Sequence, residues 1–178
     1  TKESLAKHLV DCDSVASCLG HNLNLKGLFG KPRRLVLDAV KFICEAIQLN
    51  HPEKPIKFVL MNTAGNSNRD LGEAVFKAEK IVVGIIRFLL PPHADNEQAA
   101  DFLRTEIGQG HQVIEWCAVR PDTLINEDKV TEYEAFQSPV RSAIFNAGKT
   151  SRINVGNFMT KLIVETDVWK KWKGQMPV

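Results

Sequence analysis

Apolar positions in this chain alternate between short continuous runs and stripes of helical period. The most informative run is Lys57-Phe58-Val59-Leu60-Met61-Asn62-Thr63-Ala64-Gly65, β-favouring at first and closed by small residues. Such a run, bounded by turn residues and lacking polar alternation, predicts a buried strand of a parallel sheet. Asn66, Ser67, Asn68 and Asp70 follow it with turn and helix-start chemistry. Ser14 to Leu19 predicts a second short buried strand that stops at Gly20-His21-Asn22. Gln112 to Val119 predicts a third, which ends in the turn Arg120-Pro121-Asp122-Thr123-Leu124.

Helical stripes lie between these runs. Thr1 to Leu9 places Leu5, Ala6, Leu9 and Val10 on one side. Val36, Ala39, Val40, Ile43, Ala46 and Ile47 stripe a helix with Pro32 in its first turn and its end near Leu49. Leu71 to Leu90 predicts a helix that grows more apolar along its length and is stopped by Pro91-Pro92. Asp95 with Gln98 resembles a capping box that opens a further helix to about Ile107, ended by Gly108-Gln109-Gly110. Asn22 to Lys31 is a loop, and its Gly27 and Gly30 do not match a phosphate-binding fingerprint. Asn126 to Thr150 is polar, carries Pro139, Gly148 and the single tyrosine Tyr133, and predicts an irregular flap. Ser151-Arg152-Ile153-Asn154 leads into a helix with Val155, Phe158, Met159, Leu162 and Ile163 inward, and Trp169 and Trp172 pack a last segment on the body. Alternating strands and crossover helices predict one α/β domain over residues 1–178, a Rossmann-like parallel sheet with helices on both faces.

The composition agrees with a globular protein and narrows its chemistry. The 178 residues are 44% hydrophobic and 25% charged, which suits one domain with a core. The balance of 23 basic against 21 acidic residues argues against a nucleic-acid or anionic-membrane partner. No apolar run approaches the roughly 20 residues of a membrane span, and Thr1-Lys2-Glu3-Ser4 shows no secretory pattern. Cys12, Cys18, Cys44 and Cys117 lack C-x-x-C spacing, and the last three lie in apolar segments, so they read as reduced core residues in a cytoplasmic setting. His8, His21, His51, His93 and His111 are scattered, and no metal site is expected.

In open α/β sheets, ligands bind beyond the carboxyl ends of the strands. Thr63, Ala64, Gly65 and Asn66 occupy such an end, as do Gly20, His21 and Asn22. Gly20 allows close approach of backbone or ligand, whereas His21 alone reads as a ligand contact or as a loop histidine. Arg33 and Arg34 at the helix entry read as a phosphate contact or, by default, as solvated surface.

At these residues the chain resembles the short-chain dehydrogenase/reductase superfamily, specifically its atypical NAD(P)-binding members with an NmrA-like domain. Ser14 to Asn22 (SVASCLGHN) resembles the family's fourth strand and the turn beside the dinucleotide. Phe58 to Gly65 (FVLMNTAG) resembles the fifth strand, with Thr63 where the family places a serine or threonine. Val119 to Leu124 resembles the family's V-R-P-G-x-L turn on the nicotinamide side, and Ser151 to Val155 its S-R-x-D-V-A segment. The resemblance implies NADP or NAD as cofactor, held by Gly20, His21, Asn22, Thr63, Ala64, Lys80, Arg120 and Pro121, with Thr63 and Lys80 as catalytic candidates. It also implies an unidentified small-molecule substrate, bound against the variable loop Asn126–Thr150.

Two departures from the family pattern bear on function. Where the superfamily has Tyr-x-x-x-Lys, the matching helix reads Phe76-Lys77-Ala78-Glu79-Lys80, and phenylalanine has no proton to transfer. The Gly-rich strand–turn–helix that cradles the pyrophosphate is absent, and Thr1 aligns with the family's third helix. The expectation is therefore the last two-thirds of the usual fold, without its first strands. Ser14–Leu19 would then be an exposed apolar edge open to self-association, and the chain a fragment of a longer protein. Three readings follow: an NAD(P)-dependent oxidoreductase or epimerase-like enzyme, a non-catalytic dinucleotide sensor or interaction module that has lost the tyrosine, or a truncated domain with no cofactor affinity.

Overall fold

A computed structural model describes residues 1–22, 24–73, 82, 84 and 91–178. The described residues form α1 (Lys2–His8), β1 (Ser14–Ser17), α2 (Leu25–Phe29), α3 (Leu35–Asn50), β2 (Ile56–Met61) and α4 (Pro91–Phe102). A single π-helical turn (Leu103–Ile107) then leads to β3 (Ile114–Val119), β4 (Thr123–Ile125), β5 (Lys149–Ser151), α5 (Arg152–Val164) and α6 (Thr166–Trp172). The helix expected over Leu71–Leu90, with Phe76 and Lys80, falls largely outside the described residues.

The three long runs form one parallel sheet in the order β1-β2-β3, with Val15 opposite Phe58 and Phe58 opposite Trp116. Side-chain alternation then divides the core in two. Ile56, Phe58, Leu60, Ile114, Trp116 and Ala118 face one side, against α3, α4 and the π turn. Val59, Cys117 and Val119 face the other, against α5 and α6, where Phe158 meets both Tyr133 and Trp172 edge-on. A sheet covered on both faces explains why β2 and β3 read as continuous apolar runs. Lys57 keeps its place on the second face by donating Nζ to the Ile163 carbonyl at 2.7 Å. Residues 174–178 continue the sheet beyond β3, with Ala118 N–H donating to Gln175 O and Arg120 N–H to Pro177 O. Val178 and Phe136 exchange two backbone hydrogen bonds of 2.9 Å, which ties the 126–148 segment to the sheet. Among the described residues, β1 pairs with β2 alone.

Several local expectations are corrected. The loop 22–31 contains α2, capped by Asn24 Oδ1, which accepts from Gly27 N–H at 2.8 Å. Pro32 precedes α3 instead of sitting in its first turn, because Arg34 is the N-cap and makes no side-chain cap bond. Pro91 and Pro92 are the first residues of α4, and the helix expected to stop at them lies largely outside the described residues. Asp95 lies inside α4 and caps a different helix: its carboxylate accepts from Val36 N–H at 2.8 Å and Leu37 N–H at 3.0 Å at the start of α3. Thr150 belongs to β5, paired in parallel with β4, so the flap is bounded by strands at both ends. Cys18 is exposed instead of packed in the core, because β1 ends at Ser17.

Candidate functional site

The register of β2 and β3 sets their carboxyl ends side by side. Met61 is opposite Val119, and the ladder runs on through Asn62 N–H to Val119 O at 2.7 Å and Ala64 N–H to Pro121 O at 3.0 Å. Beyond it the chain turns, with Thr63 Oγ1 accepting from Gly65 N–H at 3.4 Å and Thr63 O from Asn66 N–H at 3.0 Å. Asn62 anchors that turn. Its Oδ1 accepts from Thr63 N–H and Asn66 Nδ2, and its Nδ2 donates to Asn96 O on α4 at 2.9 Å.

These two strand ends enclose a cavity of about 220 Å³. Thr63, Ala64 and Gly65 line it from β2, Pro121, Asp122 and Thr123 from β3, and His93 from α4. Ala143 and Ile144 close it from the flap, where Ser142 Oγ accepts from the N–H groups of Ile144 and Phe145. A Cβ built on Gly65 would lie 3.2 Å from His93 Nε2 and 3.8 Å from Thr63 Oγ1. A side chain at position 65 would thus press on the imidazole.

Asp122 also lines a second cavity, of about 1040 Å³, walled by the flap and by α5. Tyr133 OH donates to Asn157 Oδ1 at 2.6 Å there, and Lys161 Nζ stands 5.4 Å from the tyrosine ring centre. Asn154, buried on α5, holds the flap through Thr131, accepting its N–H and donating to its Oγ1, both at 2.9 Å. Gly148 lines the same cavity: a Cβ there would lie 2.2 Å from Asp122 Oδ2 and 3.3 Å from Arg141 Nη1, so a side chain would displace the Asp122 carboxylate.

Of the residues expected from sequence, Thr63, Ala64 and Pro121 meet in the small cavity. Gly20 and Asn22 lie exposed beyond β1, and a Cβ at Gly20 would meet nothing within 4 Å. His21 is engaged at both ring nitrogens, by Gly27 O at 3.1 Å and Asp95 Oδ2 at 2.7 Å, with its side chain 5% exposed. Arg120 is completely buried: Nε donates to Met176 O, Nη1 to Asn66 O and Glu73 Oε2, and Nη2 to Glu73 Oε1. Both side chains are therefore committed within the protein. Lys80 lies outside the described residues.

Sequence reasoning missed His93 and Asp122. Asp122 carried a signal, since it replaces the glycine of V-R-P-G-x-L, whereas nothing local distinguishes His93 from the other histidines. Among the described residues, no cluster of three His, Cys, Asp or Glu side chains is arranged to hold a metal ion, and no helix is long and apolar enough to cross a membrane. Burial pushes the Cys44 thiol up to about 12 and raises Cys117 as well, so both act as small apolar side chains.

No protein-family model matches the chain, and no curated protein matches it in sequence. Solved structures do match. A wide-type short-chain dehydrogenase/reductase from Veillonella parvula, in complex with NADP, is 15% identical with a TM-score of 0.62, covering 99% of this chain and 66% of that one. An oxidoreductase from Lactococcus lactis is 14% identical with a TM-score of 0.63, over 99% and 65% of the two chains. An anaerobillin reductase from Escherichia coli O157:H7 is 11% identical with a TM-score of 0.59, over 93% and 64%. The chain therefore has the Rossmann-like fold of short-chain dehydrogenase/reductase oxidoreductases. It spans about two-thirds of the length of each of these three structures.

Proposed function

We propose that this chain carries the nicotinamide side of an NAD(P) site and the adjoining substrate cavity of an oxidoreductase of the NmrA-like type. The observation that carries this reading is the pairing of two cavities at the ends of β2 and β3. The smaller is built of Thr63, Ala64, Gly65 and Pro121, and it shares Asp122 with the larger. Ligands of open α/β sheets bind at such strand ends, and small residues at the turn let a flat ring approach the backbone. NADP in the Veillonella parvula structure supports the choice of ligand. When bound, the nicotinamide supplies or accepts hydride; the protein orients the reactants and handles the proton. Thr63 provides a hydroxyl toward the small cavity, and the flap residues 126–148 shape the substrate side.

In this reading Arg120 and His21 hold the site's frame, and Gly20 and Asn22 serve the distal part of the dinucleotide. The outer edge of β1, where Ala16 and Leu19 are exposed, is the surface we assign to strand pairing with another chain or segment. A cytoplasmic setting belongs to the same reading. The test is a titration of this chain with NADPH and NADH, followed by fluorescence of Trp116, Trp169 and Trp172 and by thermal shift. Micromolar affinity is expected, and no binding at millimolar nucleotide would overturn the reading.

A further inference from the structure

We propose that His93 is the proton-transfer group of this site, an inference that rests on the oxidoreductase reading above. The family's tyrosine is replaced by Phe76, so the proton must come from another side chain that reaches the small cavity. Tyr133 does not serve, because it lines the larger cavity alone and its hydroxyl is spent on Asn157. Thr63 reaches the small cavity, but an alcohol requires a neighbouring base to move a proton. Imidazole both gives and takes a proton near neutral pH.

The placement of His93 fits the role. Its Nε2 and Thr63 Oγ1 lie 3.2 Å and 3.8 Å from the position a Cβ on Gly65 would take, and both residues line the small cavity. His93 sits in the first turn of α4, and the next residues of that helix are pinned. Asp95 accepts hydrogen bonds from Val36, Leu37 and His21, and Asn96 O accepts from Asn62 Nδ2. The imidazole is thus carried by a rigid element, as preorganised proton transfer requires.

The substrate class is a ketone, aldehyde or quinone small enough to place its oxygen between His93 Nε2 and Thr63 Oγ1. With the dinucleotide bound, hydride delivered to the carbonyl carbon would leave the C=O π pair as a lone pair on oxygen. That oxygen takes the proton from Nε2–H, and the imidazole regains one from solvent. In the reverse direction Nε2 takes the hydroxyl proton as hydride leaves the carbon. Thr63 donates a hydrogen bond to the same oxygen.

Two readouts test the proposal on the full chain. In the first, the imidazole ¹H–¹⁵N signals of wild type, assigned with His93→Asn, are followed during NADP⁺ titration. The His93 signals are expected to shift while those of exposed His8 and His51 stay in place. In the second, NADPH oxidation is measured with phenanthrenequinone and benzaldehyde. His93→Gln is expected to keep NADPH affinity within threefold and to lose about 100-fold or more in kcat. A His93 signal unmoved by bound nucleotide would overturn the proposal. So would a His93→Gln variant with wild-type turnover, or a nucleotide-binding wild type that reduces neither probe. Absence of nucleotide binding would instead sink the reading on which the proposal rests.

Discussion

Replacing Arg120 separates a structural role from a ligand-binding one. The guanidinium makes four hydrogen bonds in a fully buried setting, to Met176 O, Asn66 O and both carboxylate oxygens of Glu73, whose side chain is 2% exposed. Arg120→Met leaves a buried carboxylate without its cation and two carbonyls without their donor. Breaking one partner of a buried pair costs about 3–5 kcal/mol, a large part of the roughly 5–15 kcal/mol by which domains are stable. Glu73→Leu strands the cation and should cost a similar amount. The double variant removes both charges, so it should be more stable than either single variant. It should still retain a cost of about 1–3 kcal/mol, because the carbonyls of Asn66 and Met176 stay unpaired. Arg120→Lys should rescue little, since a single ammonium cannot reproduce the planar fork. Urea unfolding followed by tryptophan fluorescence measures all four. If Arg120→Met unfolds within about 1 kcal/mol of wild type while nucleotide affinity collapses, Arg120 faces the ligand and the reasoning is wrong.

Three further outcomes follow from the same geometry. Asp95→Ala removes the carboxylate that caps α3 and holds His21, and should cost about 2–4 kcal/mol in urea unfolding, with Asp95→Asn intermediate. Gly148→Ala places a Cβ 2.2 Å from Asp122 Oδ2 and should cost about 1–3 kcal/mol, whereas Gly20→Ala meets nothing within 4 Å and should cost less than about 0.5 kcal/mol. Burial raises the Glu115 carboxyl, but the Lys173 ammonium and the Trp169 indole N–H outweigh it, so the group lies below its ordinary value. A depressed carboxylate stabilises the fold above its unfolded pKa and loses that stabilisation as pH falls through its folded one. Glu115→Gln should therefore be less stable than wild type at neutral pH, and thermal unfolding should show the gap closing as pH drops below about 4.

The fold was legible because burial on both faces leaves a continuous apolar run, and β2 and β3 are such runs. β1 was legible only in part: among the described residues it pairs on one side and exposes Ala16, and Cys18 lies beyond its end. Asp95 shows why local signals mislead. A carboxylate followed three residues later by glutamine looks like a self-cap, yet α4 begins four residues earlier and the carboxylate reaches α3, 58 positions away in sequence at Leu37. The site was half legible. Thr63 and Ala64 follow from a strand end and Pro121 from the family resemblance, but the burial of Arg120 depends on Glu73 and on the 174–178 segment, which no local pattern links to it. His93 was invisible because its place beside Thr63 and Gly65 arises from tertiary packing.

The central claim is that the carboxyl ends of β2 and β3 form the nucleotide site. A backbone ¹H–¹⁵N titration of this chain with NADP⁺ tests it most directly. The account predicts that the amides of Thr63, Ala64, Gly65, Asp122 and Thr123 move together with one affinity. Shifts confined to other surfaces, or none at millimolar nucleotide, would contradict it.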